Sequence, residues 1–228
     1  MFLLFRPGSA LNAGESVTLT GPEEKHARVR RLNPRDAVWV GDGLGRRVLA
    51  RYSSEGQTLL LTDREERGKE PDRCLLTAVP EGRRWEWLLQ KATELGVTRV
   101  QPLSFERSVA RSTDLNRAMR IVEEAARQSL RYRLPEICPA LALGEALQRE
   151  SARLILLDPR GAAPQTLTGK YDEALSFLVG PEGGLSERER TLALEAGAIP
   201  LRFGGAILRV ETAGLVALAW ALARAPGT

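Results

Sequence analysis

The sequence predicts an α/β protein in two parts: a small β-rich region over residues 1–70 and an open α/β domain over residues 74–228. Three observations lead there. Short apolar segments separated by glycine turns fill the first part. After residue 73, strand-like segments alternate with amphipathic helical ones. Two of the later apolar runs, Leu154-Ile155-Leu156-Leu157 and Leu175-Ser176-Phe177-Leu178-Val179, are nearly continuous rather than alternating. Strands buried on both faces of a parallel sheet read that way.

The first element is a strand over Met1 to Phe5, stopped by Pro7-Gly8. Val17-Thr18-Leu19-Thr20 alternates as a half-buried strand does. A helix from about Pro22 carries Lys25, His26, Arg28 and Val29. Ala37-Val38-Trp39-Val40 leads into the turn Gly41-Asp42-Gly43, and Arg47–Tyr52 and Thr58–Thr62 follow as strands. Strands of this length with glycine turns predict a small barrel. Arg64 to Arg73 is charged, has no apolar face and holds Gly68 and Pro71, so it reads as a linker.

The second part opens on the strand Cys74–Val79. Trp85, Leu88, Leu89, Ala92 and Leu95 then recur at helical spacing, with Gly96 placed to end the helix. Val100–Leu103 is the next strand. Leu115, Ala118, Met119, Val122, Ala125 and Ala126 mark a long helix preceded by the capping residues Ser112-Thr113-Asp114. Ser186 and Glu189 form a capping box that opens a helix closed by Gly197. Ile199–Phe203 is the last strand. The last helix, Glu211–Ala223, is apolar almost all round and is therefore a buried helix.

Lysine occurs only four times among 33 basic residues, so the net charge of +4 is carried by arginine. Arginine forks onto phosphate and stacks on bases. One basic cluster combines Lys25, His26, Arg28, Arg30 and Arg31, with Arg35 close by; another combines Arg107, Arg111, Arg127, Arg131 and Arg133. Such clusters are candidate nucleic-acid contacts or solvated faces. The two cysteines, Cys74 and Cys138, lie in apolar contexts and are expected as buried free thiols. With no CxxC and a single histidine, no metal site is expected. The apolar start is too short for a signal peptide or a membrane span, so a cytoplasmic protein without a membrane partner is expected.

Ligands of open α/β sheets bind beyond the carboxyl ends of the strands. Two loops occupy such places. Val179-Gly180-Pro181-Glu182-Gly183-Gly184-Leu185-Ser186 leaves a buried strand and enters the capped helix. Its glycines let backbone amides and carbonyls approach a flat ligand. It ends without GK[ST] and is not G-x-G-x-x-G, so neither phosphate-binding motif is present. The second loop runs from Phe203 through Gly204, Gly205, Ala206, Ile207 and Leu208 to Arg209-Val210-Glu211-Thr212. Glu211 suits the positive start of a helix, whereas Arg209 there is electrostatically misplaced unless an anion sits nearby.

At these two loops the sequence resembles the SPOUT methyltransferase superfamily and, within it, the RsmE family. The resemblance is carried by His26–Leu32, Gln90–Val97, Glu106-Arg107-Ser108, Glu123–Ser129 with Arg131 and Pro135-Glu136-Ile137, Val179–Ser186 and Leu208–Ala213, six segments in family order. It implies a SPOUT-type domain with a C-terminal trefoil knot, preceded by a PUA-like β-barrel. It implies methylation of N3 of a uridine in 16S ribosomal RNA of the small subunit, with S-adenosylmethionine as cofactor, by a homodimer. Leu157, Asp158, Val179, Gly180, Pro181, Glu182, Gly183, Leu201, Phe203, Gly204, Ala206, Ile207, Leu208 and Thr212 would surround the cofactor. Arg209 and Glu211 would act on the uridine. The chain departs from the family at Ala206, where an arginine is usual. Rival expectations are another SPOUT activity, at a ribose 2′-oxygen or guanine N1, and an RNA-binding protein without catalysis.

Overall fold

The computed structural model describes residues 2–9, 11–29, 31–33, 36–53, 58–66, 71–108, 113–168 and 173–224. The chain divides into two compact units, Met1–Lys69 with Ala126–Leu134, and Glu70–Ala125 with Pro135–Thr228.

In the first unit β1 (Phe2–Phe5), β2 (Ser16–Thr18), β3 (Ala37–Gly41), β4 (Arg46–Ser53) and β5 (Thr58–Glu66) form one sheet in the order β1-β3-β4-β5-β2. Helix α1 (Gly21–Val29) follows β2. Alternation sets the register. Val38, Val40, Val48, Ala50, Leu59 and Leu61 all turn inward and are fully buried. The β3–β4 turn closes on a side chain: Asp42 Oδ1 accepts the N–H groups of Leu44 at 2.7 Å and Arg46 at 3.1 Å. The charged stretch expected as a linker is not one throughout. β5 runs on to Glu66, paired with β4 through Arg46↔Glu66 and Arg47↔Glu65, because pairing needs only backbone.

The segment Ala126–Leu134 docks on this sheet. Ala126 is buried with Leu3 and Phe5, and Trp39, Leu130 and Leu134 pack around them. Leu134 N–H donates to Gly43 O at 2.9 Å, and the Arg47 guanidinium lies 4.2 Å from the Trp39 ring and 3.9 Å from the Tyr132 ring. Such a double cation–π stack helps to fix the segment. Arg127 and Arg131, which the sequence reading grouped with Arg107, therefore belong to the first unit.

The second unit is a parallel sheet in the order β12-β10-β11-β6-β7-β8, with β9 beside β7. Its strands are β6 (Arg73–Ala78), β7 (Arg99–Ser104), β8 (Glu136–Ile137), β9 (Leu141–Ala142), β10 (Arg153–Ala162), β11 (Leu175–Val179) and β12 (Ile199–Leu201). The helices are α2 (Arg83–Glu94), α3 (Leu115–Gln128), α4 (Leu143–Arg149), α5 (Glu187–Glu195) and α6 (Val210–Arg224). Parallel neighbours need crossovers, and α2 supplies the one from β6 to β7. Every residue of β6 and of β11 is buried, as their near-continuous apolar runs require.

Local chemistry explains the boundaries. α2 buries Trp85, Leu88, Leu89, Ala92 and Thr93 along one stripe, and each buried leucine is worth about 2 kcal/mol. The helix stops at Gly96, whose φ of +89° suits glycine, while Val97 N–H returns to Ala92 O at 3.0 Å. Asp114 Oδ1 caps α3 by accepting Arg117 N–H at 3.0 Å; Ser112, expected beside it, lies outside the described residues. Gly214 brings α6 against the sheet: a Cβ there would stand 3.1 Å from Leu75 Cδ1. α6 buries Val210, Glu211, Ala213, Leu215, Ala217, Leu218 and Ala221, but it is not covered all round as expected: Val216 is 38% exposed and Leu222 52%, and Ala219 and Ala223 are exposed with them.

Four expectations are corrected. α4 and the short strands β8 and β9 carry no long periodic signal and were not anticipated. β12 ends at Leu201 rather than Phe203. Arg73 opens β6 as a buried residue and donates from Nη1 to Glu173 O at 2.6 Å, so it is core and not linker. Cys74 is buried, but Cys138 is only partly so. No helix of the described residues is long and apolar enough to cross a membrane.

Candidate active site

At the carboxyl ends of β10, β11 and β12, three chain segments converge on two adjoining clefts of ≈ 180 and ≈ 240 Å³. Both clefts share Leu157, Asp158 and Pro159 from β10, Ile207 and Leu208 from the loop after β12, and Ala213 of α6. The first adds Leu201 through Ala206, and the second adds Val179, Gly180, Pro181, Glu182, Gly184 and Leu185 from the loop after β11. The fold makes this possible because parallel strands end together on one edge, where irregular backbone is free to face a ligand.

The walls are apolar side chains and bare backbone. Ile207 is 88% exposed although it lines both clefts, a large apolar surface that a ligand would cover. The glycines act by small size or by φ: Gly204 has φ +90°, and a Cβ on Gly180 would press within 3.2 Å of Leu185 Cγ.

The polar part of the wall is built around Asp158, which is 6% exposed. Its Oδ1 accepts Arg160 N–H at 2.8 Å, and its Oδ2 accepts Arg190 Nε–H at 2.7 Å. Burial opposes the charge on this carboxyl, but the Arg160 amide, the Arg190 hydrogen bond and the two guanidinium charges outweigh it and hold the group below its ordinary range. Arg160 is itself paired with Glu187 at 3.0 Å. Glu182 pairs with Arg84 of α2 at 3.2 Å.

The loop after β11 is anchored from below. Ser186 and Glu189 cap each other at 3.2 and 2.8 Å, as the S-x-x-E spacing predicts, and Glu189 Oε1 also accepts Glu106 N–H at 2.7 Å. That bond brings the residues after β7 to the loop, and Arg107 Nη1 reaches Gly183 O at 3.4 Å.

Of the residues expected around a cofactor, Leu157, Asp158, Val179, Gly180, Pro181, Glu182, Leu201, Phe203, Gly204, Ala206, Ile207 and Leu208 form the walls. Gly183 and Thr212 do not: Gly183 faces Arg107, and Thr212 lies partly buried on α6. Arg209 and Glu211 are outside the walls but adjoin them in sequence. Arg209 stands exposed at the start of α6, where its carbonyl accepts Ala213 N–H at 2.8 Å. Glu211, 5% exposed, has a buried Oε2 with no hydrogen bond to any described residue. The sequence reading missed Arg160 and Arg190. A polar residue on the cleft side of the capped helix was the available signal for Arg190.

The expected RNA-binding residues fall in different places. Lys25 and Arg28 are exposed on α1, His26 is partly buried beside them, and Arg31 is exposed with φ +53°. Arg107 is exposed at the loop after β11. Arg127 and Arg131 are partly buried and engaged within the structure. Arg30, Arg35 and Arg111 lie outside the described residues.

Comparison with known proteins gives the site a context. A family model for the RNA methyltransferase domain matches residues 68–222, which include both cleft-forming loops. Ribosomal RNA small subunit methyltransferase E of Synechocystis sp. is 34% identical over 90% of this chain and 72% of that protein. The protein of the same name from Mycobacterium bovis is 29% identical over 95% of this chain and 89% of that one. The crystal structure of a ribosomal RNA small subunit methyltransferase E from Neisseria gonorrhoeae bound to S-adenosyl methionine superposes with a TM-score of 0.87, at 31% identity, covering 96% of each chain.

Proposed function

Because the chain belongs to the family of ribosomal RNA small subunit methyltransferase E, we propose that it methylates N3 of a uridine in the 16S RNA of the small ribosomal subunit, using S-adenosylmethionine. One observation carries the reading: the cleft at the strand ends is built from the two loops that also fall inside the family match.

The walls fit the cofactor. Adenine needs apolar faces and backbone hydrogen bonds, which Leu157, Ile207, Leu208 and the glycine-rich loops offer. The bound cofactor supplies an electrophilic methyl group. The chain's own residues must prepare the other reactant, because uridine N3 holds an imide proton and is a poor nucleophile until it leaves. Arg209, exposed at the start of α6 beside the cleft, stabilises the anion that spreads onto the flanking carbonyl oxygens. Glu211 takes up the proton or orients Arg209; its buried Oε2, without a hydrogen bond to a described residue, is free to accept one. The remaining acceleration is alignment of N3 with the methyl group.

The same reading includes a PUA-like barrel in the first unit, a trefoil knot in the second and a homodimer in the cytoplasm. Val216, Ala219, Leu222 and Ala223, an exposed apolar face of α6, support a second copy covering this helix. Lys25, Arg28, Arg31 and Arg107 would meet RNA phosphates, so affinity for RNA falls as salt rises.

The test is methyl transfer from labelled S-adenosylmethionine to unmodified small ribosomal subunits, followed by nucleoside mass analysis. The expected product is 3-methyluridine. Label on a ribose or a purine would refute the assigned position, and no transfer with no cofactor binding would refute the enzyme.

A further inference from the structure

Arg190 is held in an unusual way for a residue in a ligand cleft. Its Nε–H is spent on Asp158 Oδ2 at 2.7 Å, and its side chain is only 21% exposed. Its two terminal amino groups make no hydrogen bond or ion pair with any described residue. Asp158 is also taken by Arg160 N–H, so the carboxylate cannot swing away to release the tether. What remains is the outer edge of a guanidinium, fixed in direction, in the wall of the ≈ 240 Å³ cleft. A tethered guanidinium with its donors unspent is a receptor for paired anionic oxygens.

Resting on the proposed function, we propose that Arg190 receives the α-carboxylate at the amino-acid end of S-adenosylmethionine. The charge balance of the wall favours that group over an RNA phosphate. Among the residues lining this cleft, Asp158 and Glu182 balance Arg160 and Arg190, and Glu182 is itself paired with Arg84. A neutral wall with separated charges does not draw in a polyanion, whereas it admits a zwitterion, whose carboxylate meets Arg190. Arg190 is thus a binding residue for the cofactor, and Asp158 positions it.

Calorimetric titration of the full chain with two ligands tests this. S-adenosylmethionine carries the carboxylate; decarboxylated S-adenosylmethionine does not. Arg190→Gln should weaken the first by about 10- to 100-fold, the range for a hydrogen bond to a charged group, and leave the second within about twofold. Asp158→Asn, which loosens the tether but keeps the guanidinium, should reduce the first by a smaller factor with the same ligand selectivity. Equal losses for both ligands, or no loss, overturn the proposal. A loss of RNA affinity with a shallower salt dependence and unchanged cofactor affinity overturns it in favour of a phosphate contact. If the wild-type chain binds neither ligand, the failure belongs to the proposed function instead.

Discussion

The carboxylate of Glu189, in the first turn of α5, accepts the backbone N–H of Glu106 at 2.7 Å across 83 residues of sequence. Its second oxygen accepts Ser186 N–H at 2.8 Å. One buried side chain thus caps a helix and ties the residues after β7 to the loop that forms a cleft wall. Glu189→Ala leaves the buried Ser186 N–H and the part-buried Glu106 N–H without their charged acceptor, and is expected to cost about 2–4 kcal/mol. Urea unfolding measures this, and a loss below about 1 kcal/mol would mean that water replaces the carboxylate without penalty.

Among the described glycines of the second unit, Gly161 has the closest backbone neighbour. A Cβ there would lie 2.5 Å from Pro200 C and 2.6 Å from Leu201 N, where β10 and β12 change register. Backbone cannot step aside as a flexible side chain does. Gly161→Ala should push β12 away, destabilise the fold by about 1–3 kcal/mol, and displace Leu201 and Phe203 from the first cleft. Melting temperature and S-adenosylmethionine affinity should therefore fall together. A variant with wild-type values of both would show that the strands part at no cost.

Arg209 is exposed at the start of α6 and absent from the cleft walls, so its removal separates binding from chemistry. Arg209→Ala should lower kcat by about 10²–10³ while cofactor affinity stays near wild type. Arg209→Lys should restore part of the rate, since it keeps the charge and loses the fork. Turnover of the alanine variant within a few-fold of wild type would remove Arg209 from the reaction.

Much of this was legible before any coordinates, for identifiable reasons. The stripe Trp85, Leu88, Leu89, Ala92 and the capping pair Ser186 and Glu189 are local patterns, and local patterns carry their own geometry. The two loops were legible as cleft-forming segments because each leaves a strand of the sheet through glycine-rich backbone. What the sequence hid is non-local or backbone-borne. α4 has only seven residues, too few for periodicity to stand out. Arg64, Glu65 and Glu66 pair as strand through main chain while their side chains read as linker. The tether between Asp158 and Arg190 joins residues 32 apart, and no spacing rule announces it. Likewise nothing in the run from Ala126 to Leu134 says that it belongs with the N-terminal sheet.

Asp158 makes acid stability a reading of the cleft. Its carboxyl is held below the ordinary 3.8 by the Arg160 amide, Arg190 and the two guanidinium charges, against the opposing effect of burial. A carboxyl depressed in the folded state favours folding above its unfolded value, and that contribution disappears as pH falls through the folded one. Asp158→Asn cannot contribute it at any pH. Wild type should therefore exceed the variant in unfolding free energy at neutral pH, with a constant margin until the carboxylate range is reached. Below that range the gap should close as Asp158 protonates and Arg190 loses its charged anchor. Urea unfolding of both proteins from neutral to strongly acidic pH measures the gap directly. A difference that stays flat into acid would show that Asp158 holds Arg190 by hydrogen-bond geometry alone, with no net preference of the folded state for the ionised carboxylate.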